Sequence, residues 1–463
     1  MAKIQEKPNV LIYFMDELRA DVLGCYGHPF VQTPSIDRIA AEGVRFDSAY
    51  SNCPLCMPAR NCFFTGKYPT EHGVTSNGPA DKEFPELAKK YSEDPPTYAF
   101  GRVLRAAGYE TIAGVGKHHT GFSPEISGFT EYQRTPDRRG AGPARLPDGA
   151  DPEKSRPVII PGEAPNTIIG GTYDGDAEDT HAAHTIDRAL EWLKQAPGEE
   201  PWVLRVSINT PHTPVLPPAP YDSMYEDHVQ NWQFSDKEFA ARSDILRRWS
   251  NIRGFQQLSL EEQRRARSSY FGLTTFLDSQ IARLEQYLEQ SGLNDNLLTI
   301  FVADHGSSIG EHGLQVKGPF DTDDIAHIPL IFRWPGHIEP ATSPALVQLI
   351  DTLPTLAELT RVPIPSGCSG LSLMPLLEAN ETSLHDAIFA EGDFPHCNVN
   401  TGLRETIRTR DWLYTRYPEL GEEELFDLNT DPDQTRNVAD ERADVLGQLT
   451  ARLDSWRESI EKE

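Results

Sequence analysis

Short apolar runs alternate along the chain with longer stretches in which apolar residues recur at helical spacing. The runs at 9–14, 111–115, 202–208, 297–303 and 328–334 are bounded by turn residues and read as buried strands. Between them, residues 34–42, 98–107, 177–194 and 259–291 read as amphipathic helices, the last with Leu, Phe and Ile on one face and charge on the other. This alternation predicts an α/β fold in which helices cover a sheet. From about Pro375 the pattern shortens to strand-like segments at 387–390, 412–416 and 424–428 and a closing charged helix at 440–462. That change predicts a small α+β C-terminal domain over 375–463 beside a main domain over 1–374. A chain of 463 residues is long enough for two such unequal units.

Two stretches break the alternation. Residues 120–175 are rich in Gly, Pro, Asp and Arg and run longer than an ordinary connection; they read as either a functional loop region, the expected place for substrate selection, or a partly disordered one. Residues 214–253 hold Trp232 and Trp249 among many charges, and surface packing is expected of both. No internal repeat, Walker-type phosphate loop or nucleophile-elbow serine occurs.

Hydrophobic content of 38% with 24% charged residues belongs to a globular chain rather than a disordered one. A formal net charge of −27 argues against nucleic acid as a partner, because phosphate contacts need clustered Lys and Arg. No basic N-terminal region with an apolar stretch and cleavage site is present, nor any apolar run long enough to span a membrane. The chain therefore reads as cytoplasmic, or as periplasmic or secreted if a signal has been removed. Six cysteines, with Cys53, Cys56 and Cys62 crowded together, do not resemble a disulfide framework and are expected to be reduced.

The candidate chemistry concentrates at Cys53-Pro-Leu-Cys56-Met-Pro58-Ala-Arg60, which runs on to Thr65-Gly66-Lys67-Tyr-Pro69. Cys53-x-x-Cys56 alone fits a redox or zinc pair, but no second Cys-x-x-Cys supplies further ligands, and Cys53 and Cys62 read as core thiols. Cys56-x-Pro58-x-Arg60 with its Thr-Gly-Lys-x-Pro extension resembles the sulfatase family, in which Cys-x-Pro-x-Arg marks a cysteine for conversion to formylglycine. The resemblance continues in order along the chain. Residues 9–16 with Glu17-Leu-Arg-Ala-Asp21 are similar to the family's first strand and metal turn, and 34–40 to its first helix. Gly116-Lys117-His-His119 is similar to the Gly-Lys-x-His element, Pro211-His212-Thr-Pro214 to Pro-His-x-Pro, and Asp304-His305-Gly306 to the second metal turn. Lys317 falls where the last catalytic lysine lies, and Glu424-Leu-Phe-Asp-Leu resembles the usual C-terminal-domain segment.

What the resemblance implies is an alkaline phosphatase-like fold, a large mixed sheet sandwiched by helices, and hydrolysis of sulfate monoesters. Formylglycine made from Cys56 by a maturation enzyme, either the formylglycine-generating or the anaerobic kind, would be the nucleophile. Its hydrate offers one hydroxyl to attack sulfur and a second whose deprotonation expels sulfate. One divalent cation, Ca²⁺ with Mg²⁺ or Mn²⁺ as alternatives, would be held by Asp16, Glu17, Asp304, His305 and the modified Cys56. Arg60 would hold the hydrate in its ionised form, His119 would be the base that expels sulfate, Lys117 and Lys317 would bind sulfate oxygens, and His212 with Lys317 would protonate the leaving alcohol. Two positions depart from the commonest pattern: Glu17 stands where many members have Asp, leaving its direct ligation open, and His305 where many have Asn. Asn77 is either a polar contact to the site or simply half of an Asn-Gly turn.

A divalent cation with Arg60, Lys117 and Lys317, set against Asp16, Glu17 and Asp304, leaves the site at roughly +2 in an acidic chain, as an anionic substrate requires. The released alcohol could be a sugar, a phenol or an alkyl group, with sulfated carbohydrate preferred as a common substrate class of the family. Rival readings are a phosphonate monoester or phosphodiester hydrolase using the same groups, and a non-catalytic anion-binding protein with unmodified Cys56.

Overall fold

The computed structural model describes residues 7–78, 99–135, 146–147, 150–160, 167–195, 200–230, 239, 242–395 and 401–461. Its centre is an eight-stranded sheet. In chain order the strands are β1 (Asn9–Asp16), β2 (Val44–Tyr50), β3 (Thr111–Gly116), β4 (Glu131–Gln133), β5 (Trp202–Pro211), β6 (Leu297–Ala303), β7 (Leu330–Arg333) and β8 (Ala341–Gln348). They lie side by side as β8-β2-β7-β6-β1-β5-β3-β4. All run parallel except β7, which is antiparallel to both its neighbours, so the sheet is mixed. The central β1 and β6 are buried almost throughout, which is why they read as unbroken apolar runs.

The pattern of the sequence misses β2, β4 and β8. In β2 partly buried polar residues interrupt the apolar ones, and β4 is a three-residue edge. Strand β8 carries Pro344 and its register shifts between Ser343 and Leu346; as an edge strand it tolerates a residue with no ladder donor.

Helices flank the sheet. Helix α1 (Pro34–Ala41), α2 (Cys56–Thr65), α3 (His181–Leu193) and α4 (Leu260–Ser291) are the ones that matter here. The predicted start of α3 at 177 is a separate 3₁₀ turn, because Thr180 caps the helix by accepting from the Ala183 N–H. Helix α4 opens on a capping box between Ser259 and Glu262 and ends at Gly292 in the left-handed region. Trp249 corrects the expectation of surface packing: it is buried in a helix at Asp244–Arg253, edge-on to Phe394. Trp232 lies outside the described residues, as does Cys397.

The smaller C-terminal domain is an antiparallel meander of β9 (Ile388–Asp393), β10 (Leu403–Arg408), β11 (Trp412–Tyr417) and β12 (Glu422–Asp427), with α5 (Ala443–Ile460) beside it. Buried ion pairs tie this sheet to the main domain: Arg404 with Asp321 at 2.9 Å and Glu424 with Arg242 at 3.0 Å. Tyr417 adds a hydrogen bond to the Pro319 carbonyl at 2.8 Å, so the meander braces the segment just after Lys317 from behind. Among the described residues no helix is long and apolar enough to cross a membrane.

Candidate active site

Parallel strands deliver their C-terminal residues to one end of the sheet, and most of the candidate residues arrive there. Met15 pairs with Ala303, so Asp16 and Asp304 leave adjacent strands side by side. Lys117 follows β3 and His212 follows β5. Glu17, just past β1, has φ of 62°, a region costly for a side-chain-bearing residue. It is held there by its N–H donating to Asp304 Oδ1 at 3.2 Å and by the Tyr270 hydroxyl donating to its carbonyl.

Cys56 is the first residue of α2, whose ten residues are all buried. The helix N-terminus faces the sulfur with its positive end. Around Sγ stand Lys317 Nζ at 3.1 Å, His305 Nε2 at 3.3 Å, Asp16 Oδ1 at 3.5 Å and Lys117 Nζ at 3.8 Å. Burial alone would raise the thiol's pKa, but Lys117, Lys317 and His305, with a hydrogen bond from His119, hold it well below the usual thiol value. The pocket is thus built to stabilise a negative charge at this position. Asn77 Oδ1 accepts from the Met57 N–H at 2.8 Å, so the side chain closes the first turn of the helix that carries Cys56.

Asp16, Cys56, Asp304 and His305 offer ligand atoms that all lie within 4.8 Å of one another, and all four residues are buried. The donor set fits a divalent cation. His305 Nδ1 donates to the Gly306 carbonyl at 2.8 Å, so Nε2 is the atom that faces the cluster and, on losing its proton, would offer a lone pair to a cation. Burial and the neighbouring Asp16 push the Asp304 carboxyl up to about 6, a repulsion that a cation would relieve. Glu17 stands outside the cluster, its carboxylate 3.0 Å from Lys317 Nζ and 3.8 Å from His212 Nε2. Burial opposes its ionisation, while Lys317, His212 and His305 bring its pKa below the ordinary value.

Arg60, one turn into α2, is buried over the ring of Phe14 and binds Asp304 Oδ2 at 2.9–3.0 Å and Ser207 Oγ at 3.0 Å. Behind it lies a residue that sequence reasoning missed. Arg205 is fully buried in β5, and among the described residues no carboxylate reaches it within ion-pair distance. Phe64, Phe129 and Tyr132 surround its guanidinium, and Nη2 donates to the Lys117 carbonyl at 3.1 Å. Burial and Arg60 push its pKa down to about 10. The available signal was a lone arginine inside the apolar run 202–208.

His119 and His212 line a cleft of about 600 Å³ with Lys117. His119 is open to the cleft, yet burial by the surrounding protein and the charge of Lys117 lower its pKa. His212 Nδ1 lies 2.7 Å from the Thr213 carbonyl, which can only accept, so Nδ1 carries a proton and Nε2 faces the site.

Comparison with known proteins agrees with this geometry. A profile of the sulfatase family matches residues 8–362. The chain belongs to the sulfatase family. As a sulfatase it is a sulfuric ester hydrolase, and a second profile, N-sulphoglucosamine sulphohydrolase C-terminal, matches residues 310–459. An arylsulfatase of Clostridium perfringens is 26% identical over 98% of this chain and 95% of its own length. An N-acetylglucosamine-6-O-sulfatase of Bacteroides thetaiotaomicron is 25% identical over 94% of this chain and 83% of its own length. Among solved structures, a phosphonate monoester hydrolase of Agrobacterium radiobacter superposes with a TM-score of 0.80 at 25% identity, covering 98% of this chain and 96% of that one.

Proposed function

We propose that this sulfatase hydrolyses sulfate monoesters of sugars with formylglycine made from Cys56 as its nucleophile. The observation that carries the reading is the setting of the Cys56 sulfur, at a helix N-terminus between two lysines and beside paired buried carboxylates. Sγ stands where the hydroxyls of the hydrated aldehyde would lie. The likeness to an N-acetylglucosamine-6-O-sulfatase supports a sugar as the leaving alcohol.

Asp16, Asp304, His305 and the modified residue 56 would hold a divalent cation, with Ca²⁺ favoured by the carboxylates and Mn²⁺ made competitive by the imidazole. When bound, the cation would neutralise charge on sulfate and lower the pKa of a coordinated hydroxyl. The chain's own groups do the rest. Lys117 and Lys317 bind sulfate oxygens, and Arg60 fixes Asp304. His119 takes the proton whose loss expels sulfate. His212, whose Nδ1 proton is committed to the Thr213 carbonyl, turns Nε2 to the leaving oxygen and is the group that protonates it.

A second reading is hydrolysis of phosphonate monoesters or phosphate diesters at the same site, favoured by the likeness to the Agrobacterium enzyme. Rates on paired aryl sulfate and aryl phosphonate esters decide between them. Protein whose intact mass shows the roughly 18 Da loss of formylglycine formation should turn over the sulfate faster; a faster phosphonate rate overturns the preference.

A further inference from the structure

The cleft beyond Lys117 has a composition at odds with the rest of the chain. Aspartate and glutamate make up 70 of 463 residues, yet among the described residues neither lines this cleft. Its wall carries Lys117 and Arg134, with His181 deeper in and the rings of Phe122 and Tyr132 beside them. Arg134 directly follows β4 and is exposed; among the described residues it has no hydrogen-bond or ion-pair partner. The cationic surplus therefore extends past the groups assigned to sulfate. Among the described lining residues a leaving alcohol bearing a quaternary ammonium would find no carboxylate to pair with.

We propose that Arg134 is a specificity-determining residue, and that the substrate is a sulfate ester of a sugar with a second anionic group, a carboxylate or a further sulfate, which the Arg134 guanidinium binds. The inference rests on the reading of the site as a sugar sulfatase and adds the charge of the leaving group. Both acceptors match the fork of a guanidinium, which pairs with planar or tetrahedral oxyanions through parallel N–H donors. Phe122 and Tyr132 offer flat apolar faces against which a sugar ring can lie.

The test compares kcat/KM of matured enzyme on a monosulfated glucosamine, the same sugar with two sulfates, a sulfated hexuronate, choline sulfate and nitrophenyl sulfate. The doubly anionic sugars should exceed the monosulfated one by about tenfold, the scale of one charge-assisted hydrogen bond. Preference for only one of them identifies the second anion as sulfate or carboxylate. In Arg134→Gln the preference should collapse toward one, and in Arg134→Lys it should be partly kept. Calorimetry on the Cys56→Ala protein, which cannot turn substrate over, should show the same order for binding of the mono- and disulfated sugars. Equal efficiency on mono- and dianionic sugars, choline sulfate as good as either, or a preference untouched by Arg134→Gln overturns the inference while nitrophenyl sulfate turnover leaves the sulfatase reading intact. Failure of matured enzyme on every sulfate ester overturns both.

Discussion

Lys317 Nζ lies 3.1 Å from Cys56 Sγ, although 261 positions separate the two residues in sequence. The same ammonium reaches Glu17 Oε1 at 3.0 Å, so one cation ties the nucleophile position to the turn after β1. Burial disfavours the charged amine, but Cys56, Glu17 and Asp16 raise its pKa well above the ordinary value, and it remains protonated throughout the working range. Lys317→Ala should lower kcat/KM on aryl sulfates by about 10²–10³, the scale of losing one fixed donor to a developing anion. Steady-state kinetics with a thermal melt alongside check this; a loss below threefold in a folded variant contradicts the role.

Arg205 is a buried cation with no carboxylate within ion-pair distance among the described residues, and its shortest hydrogen bond goes to the Lys117 carbonyl. Replacing an uncompensated buried charge by an apolar group of similar length is often neutral or better for stability, whereas the Lys117 turn would lose its support. Arg205→Met should keep its melting temperature within a few degrees, with kcat/KM reduced roughly tenfold, the expected cost of misplacing a reacting group. A full loss of fold with no separate kinetic effect in the surviving protein would assign Arg205 to the core alone.

His212 separates leaving-group protonation from anion binding. If it donates a proton to the departing oxygen, His212→Ala should slow sugar sulfates by on the order of 10²–10⁴ and nitrophenyl sulfate far less, because nitrophenolate leaves unaided. Equal losses on both substrates, measured as kcat/KM, would assign it to gripping the sulfate, which is identical in each.

His385 offers a stability test away from the site. Its Nε2 lies 2.9 Å from Asp351 Oδ2, and although burial opposes the charged ring, Asp351 and Asp386 raise its pKa above the ordinary value. A histidine whose folded pKa is raised contributes stability fully present below the unfolded value of about 6.5 and lost as pH rises through the folded pKa. His385→Gln should therefore cost roughly 1–2 kcal/mol near pH 6 and distinctly less near pH 9, read by urea unfolding at both. A cost that does not shrink with rising pH contradicts a charged pair.

The convergence of much of the candidate site was legible because the strands that carry it are apolar runs ending in charge: Asp16 after β1, Lys117 after β3, His212 after β5, Asp304 after β6. The Cys-x-Pro-x-Arg segment folds as one buried helical turn, so its spacing places Cys56 toward the site and Arg60 beneath it. What stayed hidden depends on three-dimensional packing. Arg205 reads as an anomaly in a strand until the aromatic rings around it are in place, and Arg134 gains meaning only from a cleft whose described lining holds no acid. Strands β2 and β8 were missed because polar residues and Pro344 break their apolar pattern at positions that packing and a sheet edge tolerate.

That residue 56 supplies the nucleophile is tested by hydrolysis of nitrophenyl sulfate by wild type and Cys56→Ala purified from the same maturation-competent host. Alanine cannot become an aldehyde, while the helix that carries it loses only one buried sulfur. Wild type should have a mass lower by roughly 18 Da than the unmodified chain, and Cys56→Ala should be folded with turnover reduced by at least about 10⁴, as nucleophile removal does elsewhere. Turnover by Cys56→Ala within tenfold of wild type would contradict the role of residue 56 as nucleophile.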